Sequence, residues 1–246
     1  MRPLGHTHAV TEHLPAPRKR PGPYDHAPRL PEGETVDARN LVRGEWLELE
    51  VGPGRGGFLF ERAASAPEAG LVGLEVRRKW ATIVDARLAK LGLATRARVF
   101  AEDAKLALPR LSPDGAFRRA FLQFPDPWWK KRHEKRLVMG DAFLNEIARL
   151  LAPGGELFVQ TDVEERGAEY DARISLDPRF SPAGDVPGSA RLAENPYDAR
   201  TPRERRAIAD GLPVHRFRYT RVAAATAGPV TAGPVTATAG PVTAES

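Results

Sequence analysis

The carboxylates that follow short apolar runs are the side chains in this sequence best placed to do chemistry. Glu50 stands in LELEVGPGRGG just ahead of Gly52 and Gly54, and Glu75 sits near the end of LVGLEV. Asp103 follows ARVFA, Asp126 follows RAFLQF within FPDPWWKKRHEKR, and Asp162 follows ELFVQT. A carboxylate just before a glycine turn would repel a pyrophosphate and attract an ammonium. One about 20 residues further on suits the hydroxyls of a ribose. Asp103 can accept from a purine amino group, or it can cap the helix that AKLAL would begin. The glycines permit a tight turn and close approach of a ligand to the backbone. Taken alone they fit both G-x-G-x-G and G-x-G-x-x-G, and a ligand-free glycine turn stays open as a reading.

Such acids act together only if a frame brings them to one edge. WLELEV (46–51), LVGLEV (71–76), ARVFA (97–101), RAFLQF (119–124) and ELFVQT (156–161) read as strands. Between them GGFLFERAAS, RRKWATIVDARLAKLG and VMGDAFLNEIARLLAPGG carry helical periodicity, the last with a Pro-Gly-Gly stop. The alternation predicts an α/β fold, a mostly parallel sheet with helices on both faces. Ligands of such sheets bind beyond the carboxyl ends of the strands, where the five acids fall. Glu50, Glu75 and Asp103 together favour S-adenosylmethionine, whose ammonium, ribose and adenine match them in turn.

The chain has 246 residues, no cysteine, a formal net charge of +5, and 28% charged residues against 41% hydrophobic ones. It has no apolar run long enough to predict a transmembrane helix, and MRPLGHTHAV lacks the apolar stretch of a secretory signal. Lack of cysteine excludes disulfides and thiolate metal sites and fits a reducing, cytoplasmic setting. His6, His8 and His13 are the one histidine cluster, and no metal is expected. The positive excess is local: Lys130, Lys131, Arg132, Lys135 and Arg136 face only Asp126 and Glu134 within the same short block. A solvated helix face would explain such a run, but its place beside Asp126 and Trp128 favours phosphate neutralisation. Residues 1–40, rich in Pro, His and charge, are expected to form a flexible arm. Residues 41–222 form the predicted domain. Residues 223–246, with TAGPV three times, are expected to be a low-complexity disordered tail.

The chain resembles the bacterial single-subunit tRNA (guanine-N7-)-methyltransferases across about residues 40–220. The resemblance rests on Glu50-Val-Gly-Pro-Gly, Gly73-Leu-Glu75, Asp103-Ala, Phe124-Pro-Asp126-Pro-Trp128, Lys130 to Arg136, Thr161-Asp162 and Thr201-Pro-Arg-Glu204. The Pro-Asp-Pro-Trp-basic block is the specific part, whereas many methyltransferases share the glycine loop. Pro53 and Trp129 depart from the family pattern, and Thr201-Pro-Arg-Glu204 keeps only the outer pair of its motif. The resemblance implies a Rossmann-like S-adenosylmethionine-dependent fold and methylation of guanine N7 in the tRNA variable loop, at tRNA position 46.

With that implied function, Glu50, Gly52, Gly54, Glu75, Asp103 and Asp126 are expected at the cofactor. Asp126 is the expected catalytic residue, fixed by Pro125 and Pro127. Lys130, Asp162, Thr201 and Glu204 are expected to hold substrate, with carboxylates accepting from the Watson–Crick edge of a splayed base. Trp128 or Trp129 would stack on a base or brace the loop. A monomer or weak homodimer is expected, with tRNA as partner and no membrane. A nicotinamide-dependent oxidoreductase and a non-catalytic RNA-binding protein are the rival readings. Glu50 and the basic block speak against the first, and acids at all five strand ends against the second.

Overall fold

The structure, a computed structural model, describes residues 22–125 and 137–223. In chain order its first half comprises β1 (Val36–Asp37), β2 (Trp46–Val51), α1 (Gly57–Ser65), β3 (Ala69–Leu74), α2 (Arg78–Lys90), β4 (Ala97–Phe100), α3 (Ala104–Ala107), β5 (Leu111–Ser112) and β6 (Phe117–Gln123). Then follow α4 (Asp141–Leu150), β7 (Leu151–Thr161), α5 (Glu164–Ser175), β8 (Phe180–Pro182), β9 (Arg191–Leu192), α6 (Pro202–Ala209) and β10 (His215–Arg221).

The main sheet runs β4-β3-β2-β6-β7-β10-β8, with β9 also paired to β10. Its first five strands are parallel, and β10 is antiparallel to its neighbours. The chain steps from β2 outward to β4, then returns to the other side of β2 with β6 and β7. The crevice between β2 and β6 is thus the switch point at which α/β sheets bind ligands.

The period of two along β2 sets what each face holds. Leu47, Leu49 and Val51 join a core containing Val72, Leu122, Phe143, Ile147, Val159 and Tyr170, which seats α4 and α5. The opposite face of the sheet packs Leu71 and Val99 against Leu59, Ala63, Ala81, Val84 and Leu88 of α1 and α2. Phe58, Phe121, Phe158 and Tyr197 form a third, aromatic cluster, with Phe121 and Tyr197 edge to face at 5.0 Å.

All five expected strands and all three helices are present; WLELEV has the expected ends, and the other ends shift. α4 stops at Leu150, just ahead of the Pro-Gly-Gly stop, and Pro153-Gly154-Gly155 lies in the irregular start of β7, where the register with β6 slips. The larger correction concerns residues 22–40. Ala27, Leu30, Val36 and Ala38 are buried, β1 pairs with β5, and the Arg29 guanidinium forks onto Glu102 through Nε and Nη2, each at 2.9 Å. This part of the expected arm is a strap across the end of β4. Its apolar side chains are too irregularly spaced to show a period, as expected of a segment built from turns and very short elements. The remainder of the expected arm, the C-terminal tail and the basic block lie outside the described residues.

Candidate active site

A cavity of about 590 Å³ opens at the switch point, walled by Gly52, Glu75, Asp103, Gln123, Phe124 and Pro125 among others. That size is typical of small-molecule sites. Gly52 and Gly54 have φ of +77° and +55°, and beyond their chain neighbours no atom lies within 4 Å of where their side chains would begin. The loop therefore needs glycine for its backbone and leaves that backbone uncovered. The Gly54 N–H donates to Glu75 Oε2 at 2.9 Å, and the Arg77 N–H to Glu75 Oε1 at 2.9 Å. Glu75 thus ties the glycine loop to the end of β3, and as a carboxylate it keeps capacity to accept from a further hydroxyl. Asp103 is exposed and caps α3, its Oδ1 accepting from the Lys105 N–H at 3.0 Å. The capping reading holds, and the same residue lines the cavity.

β2 places two acids on one face with opposite electrostatics. Glu48 is buried, where desolvation pushes its carboxyl up, but Arg62, Trp46 and Arg119 together outweigh this and hold it below the usual range. Arg62 grips both of its oxygens at 2.8 Å, and Arg119 adds a hydrogen bond at 2.9 Å. Glu50, two residues on, has no such partner. Gln123 Nε2 donates to its Oε1 at 3.0 Å, and its Oε2 is buried without a hydrogen-bond partner. Burial pushes Glu50 up to about 8; the Gln123 N–H opposes this and the Glu75 charge adds to it. An unsatisfied buried acceptor is costly, and an incoming cation would relieve it.

The C-terminal motif lies against the glycine loop. A side chain added to Gly57 would collide with Pro202, which opens α6, and Glu61 of α1 pairs with Arg205 and accepts from the Arg200 N–H at 2.9 Å. Thr201 Oγ1 caps α6 by accepting from the Glu204 N–H at 2.9 Å. Asp162 Oδ2 accepts from Arg203 Nε and Nη2 at 2.9 and 2.8 Å. Against the expectation of a base-facing carboxylate, Glu204 has no exposed surface. Its oxygens accept from Gln160, Asn195 and Arg216 inside the protein.

Asp126 and Lys130 lie outside the described residues. The segment leading to them is defined: Phe124 adopts φ of +46°, uncommon for a non-glycine residue, and lines the cavity with Pro125. Local strain of this kind clusters at functional sites.

Residues 45–217 match a family model described as "Putative methyltransferase". A tRNA (guanine-N(7)-)-methyltransferase from Anaeromyxobacter dehalogenans is 41% identical over 185 residues, covering 75% of this chain and 90% of that protein. Its counterpart from Myxococcus xanthus is 38% identical over 177 residues, covering 72% and 84%. The chain belongs to the tRNA (guanine-N7-)-methyltransferase family. The solved 16S rRNA methyltransferase KamB superposes with a TM-score of 0.54 at 16% identity, covering 74% of this chain and 90% of that one, which supports the Rossmann-like methyltransferase fold alone.

The donor set fits the methyl donor of that fold: an orphaned buried carboxylate oxygen at Glu50, an open glycine backbone, and acids at the ends of β3 and β4. Among the described residues no cluster of metal-ligating side chains occurs, and no helix is long and apolar enough to cross a membrane. Sequence reasoning missed Glu48, Gln123 and Gln160. Glu48 carries a signal, because it shares the face of Glu50. The amides carry a weaker one, a glutamine near the end of each of two neighbouring strands.

Proposed function

We propose that this chain methylates N7 of guanine in tRNA, at position 46 of the variable loop, using S-adenosylmethionine. The observation that carries the reading is the switch-point cavity, walled by Gly52, Glu75 and Asp103, in a chain 41% identical to a relative of that name. When bound, S-adenosylmethionine supplies a methyl group already activated by its sulfonium charge. In this reading Glu50 receives the ammonium of the donor, Gly52 and Gly54 offer backbone to its methionine end, Glu75 accepts from ribose and Asp103 from adenine. The nicotinamide alternative has no support here, since the family model and the relatives that the chain matches are methyltransferases.

Guanine N7 carries a free lone pair, so no base has to remove a proton, and orientation and electrostatics suffice. Asp126, following Pro125 of the cavity wall, orients guanine and balances the positive charge that grows on it. Asp162 is the second acceptor for the base, held by Arg203. Thr201 keeps the start of α6 in place beside the glycine loop. Lys130 and the cations that follow it neutralise tRNA phosphates. The enzyme works in the cytoplasm with its tRNA, as a monomer or weak homodimer.

The test is to incubate the full-length protein with unmodified tRNA and S-adenosylmethionine, then map modified nucleosides by mass. The expected product is 7-methylguanosine in the variable loop. Methylation of another atom, or none, overturns the reading.

A further inference from the structure

Four neighbouring strands place polar side chains in a row beside the cavity. Gln123 of β6 stands opposite Gln160 of β7, and Gln160 opposite Arg216 of β10, while Glu50 lies on β2 next to β6. All four are buried, as is Glu204 above them. Gln123 Nε2 donates to Glu50 Oε1 at 3.0 Å. Gln160 Nε2 donates to Gln123 Oε1 at 2.7 Å and to Glu204 Oε2 at 3.1 Å. Glu204 Oε1 accepts from Arg216 Nε and Nη2 at 3.2 and 3.0 Å.

The chemistry gives this chain one direction. A carboxylate gripped by a guanidinium only accepts, so Glu204 obliges Gln160 to present its NH₂. One hydrogen of that NH₂ serves Glu204, and the other reaches the carbonyl oxygen of Gln123. Gln123 must then turn its own NH₂ toward Glu50. The orientation of the amide at the cavity is therefore set by a pair two strands further along the same row.

We infer that Gln123 and Gln160 are positioning residues of the methyl-donor site, an amide relay anchored by Glu204 and Arg216 that holds the Glu50 carboxylate for the donor's ammonium. The inference rests on the proposed donor role of Glu50. It also gives Glu204 a task inside the protein and links donor binding to the seating of α6, whose Thr201 and Arg203 flank the base site. The N–H from Gln123 favours the charged form of Glu50 against burial and against Glu75, the charged group acting on it, which is itself paired with Arg77. Losing the relay therefore makes Glu50 harder to ionise.

The experiment measures S-adenosylhomocysteine binding by calorimetry between pH 6 and 9, alongside thermal melting, for wild type, Gln160→Met and Glu50→Gln. Gln160→Met keeps the volume and removes both donors. It is expected to weaken binding about three- to tenfold at pH 7, the scale of one hydrogen bond, and to move the pH midpoint of binding upward. Wild-type affinity and midpoint in Gln160→Met, whatever its melting temperature, overturn the relay. Gln160→Asn, which keeps an amide but shortens its reach, decides the matter in the same way if Gln160→Met does not fold. Glu50→Gln separates the two layers. Unchanged affinity in that variant removes the donor role of Glu50 itself, whereas weakened binding there with wild-type behaviour in Gln160→Met removes only the relay.

Discussion

Donor affinity is expected to depend on pH through one buried group, Glu50. Its carboxyl is raised from 4.5 to about 8, because burial penalises the charge and a single neutral amide opposes that penalty. In the ligand-free protein it therefore holds its proton at neutral pH, and a cationic donor must displace that proton to gain a carboxylate partner. Affinity should rise with pH, by close to one log unit per pH unit well below 8, and level off above it. With the midpoint at about 8, the rise from pH 6 to pH 8 comes to roughly 50-fold, or about 2.3 kcal/mol. Near pH 7 binding should release about 0.9 proton, measurable from calorimetric heats in buffers of different ionisation enthalpy. Folding responds in the opposite sense to donor binding: the stability associated with the raised Glu50 is fully present below 4.5 and is lost as pH rises through about 8. S-adenosylhomocysteine is the probe, and 5′-methylthioadenosine, which lacks the amino-acid portion, is the control that should show no slope. Glu50→Gln should abolish the slope and, at pH 9, weaken binding by about 1.5–3 kcal/mol, the scale of a charge-assisted hydrogen bond. A flat wild-type profile, or an equal slope in Glu50→Gln, refutes the reasoning.

Three further outcomes are expected. Asp126→Asn should slow single-turnover methyl transfer to tRNA by about 2–4 kcal/mol of transition-state energy without unfolding the protein, and a rate within twofold of wild type would remove it from the chemistry. Charge-neutral substitution of Lys130, Lys131, Arg132, Lys135 or Arg136 should lower the log–log salt slope of tRNA binding by somewhat under one unit for each phosphate no longer neutralised; an unchanged slope would make the block a solvated surface. Arg62→Ala strips Glu48 of its bidentate partner and the Tyr197 carbonyl of a donor. It should cost about 3–5 kcal/mol in denaturant unfolding, and a change under 1 kcal/mol would show that Arg119 and Trp46 suffice for Glu48.

The elements that were legible in the sequence share one property: their signal is local. WLELEV followed by GPGRGG announces a buried strand and a glycine turn within a dozen residues, and Glu50, Glu75 and Asp103 could be placed from their positions after such runs. What was not legible depends on partners far apart in the chain. Glu48 and Glu50 look alike in LELEV, and only Arg62 and Arg119 make the first a buried ion-pair centre while leaving the second without a cation. Gln123 and Gln160 read as polar ends of apolar strands, because a neutral amide has no evident chemistry until its neighbours fix which end donates. The strap at residues 22–40 was hidden for a different reason. Its burial follows from contacts with β5 and with the residues after β4, which leave no period in the sequence.

The altered C-terminal motif is explained by the same long-range interactions. In Thr201-Pro-Arg-Glu204 the outer pair is directed inward: Thr201 caps α6, and Glu204 anchors the amide chain that ends at Glu50. The inner pair meets the two halves of the site. Pro202 opens the helix at a position where a missing N–H costs nothing, and it fills the space that only glycine leaves at Gly57. Arg203 reaches back to Asp162 at the end of β7. One turn of helix thus touches the glycine loop through Pro202, the expected base-binding acid through Arg203, and the buried relay through Glu204. A rotation of α6 by a fraction of a turn would break all three together. The pair that the motif keeps, Thr201 and Glu204, is thus the pair whose hydrogen bonds lie within the fold, as helix cap and as buried acceptor.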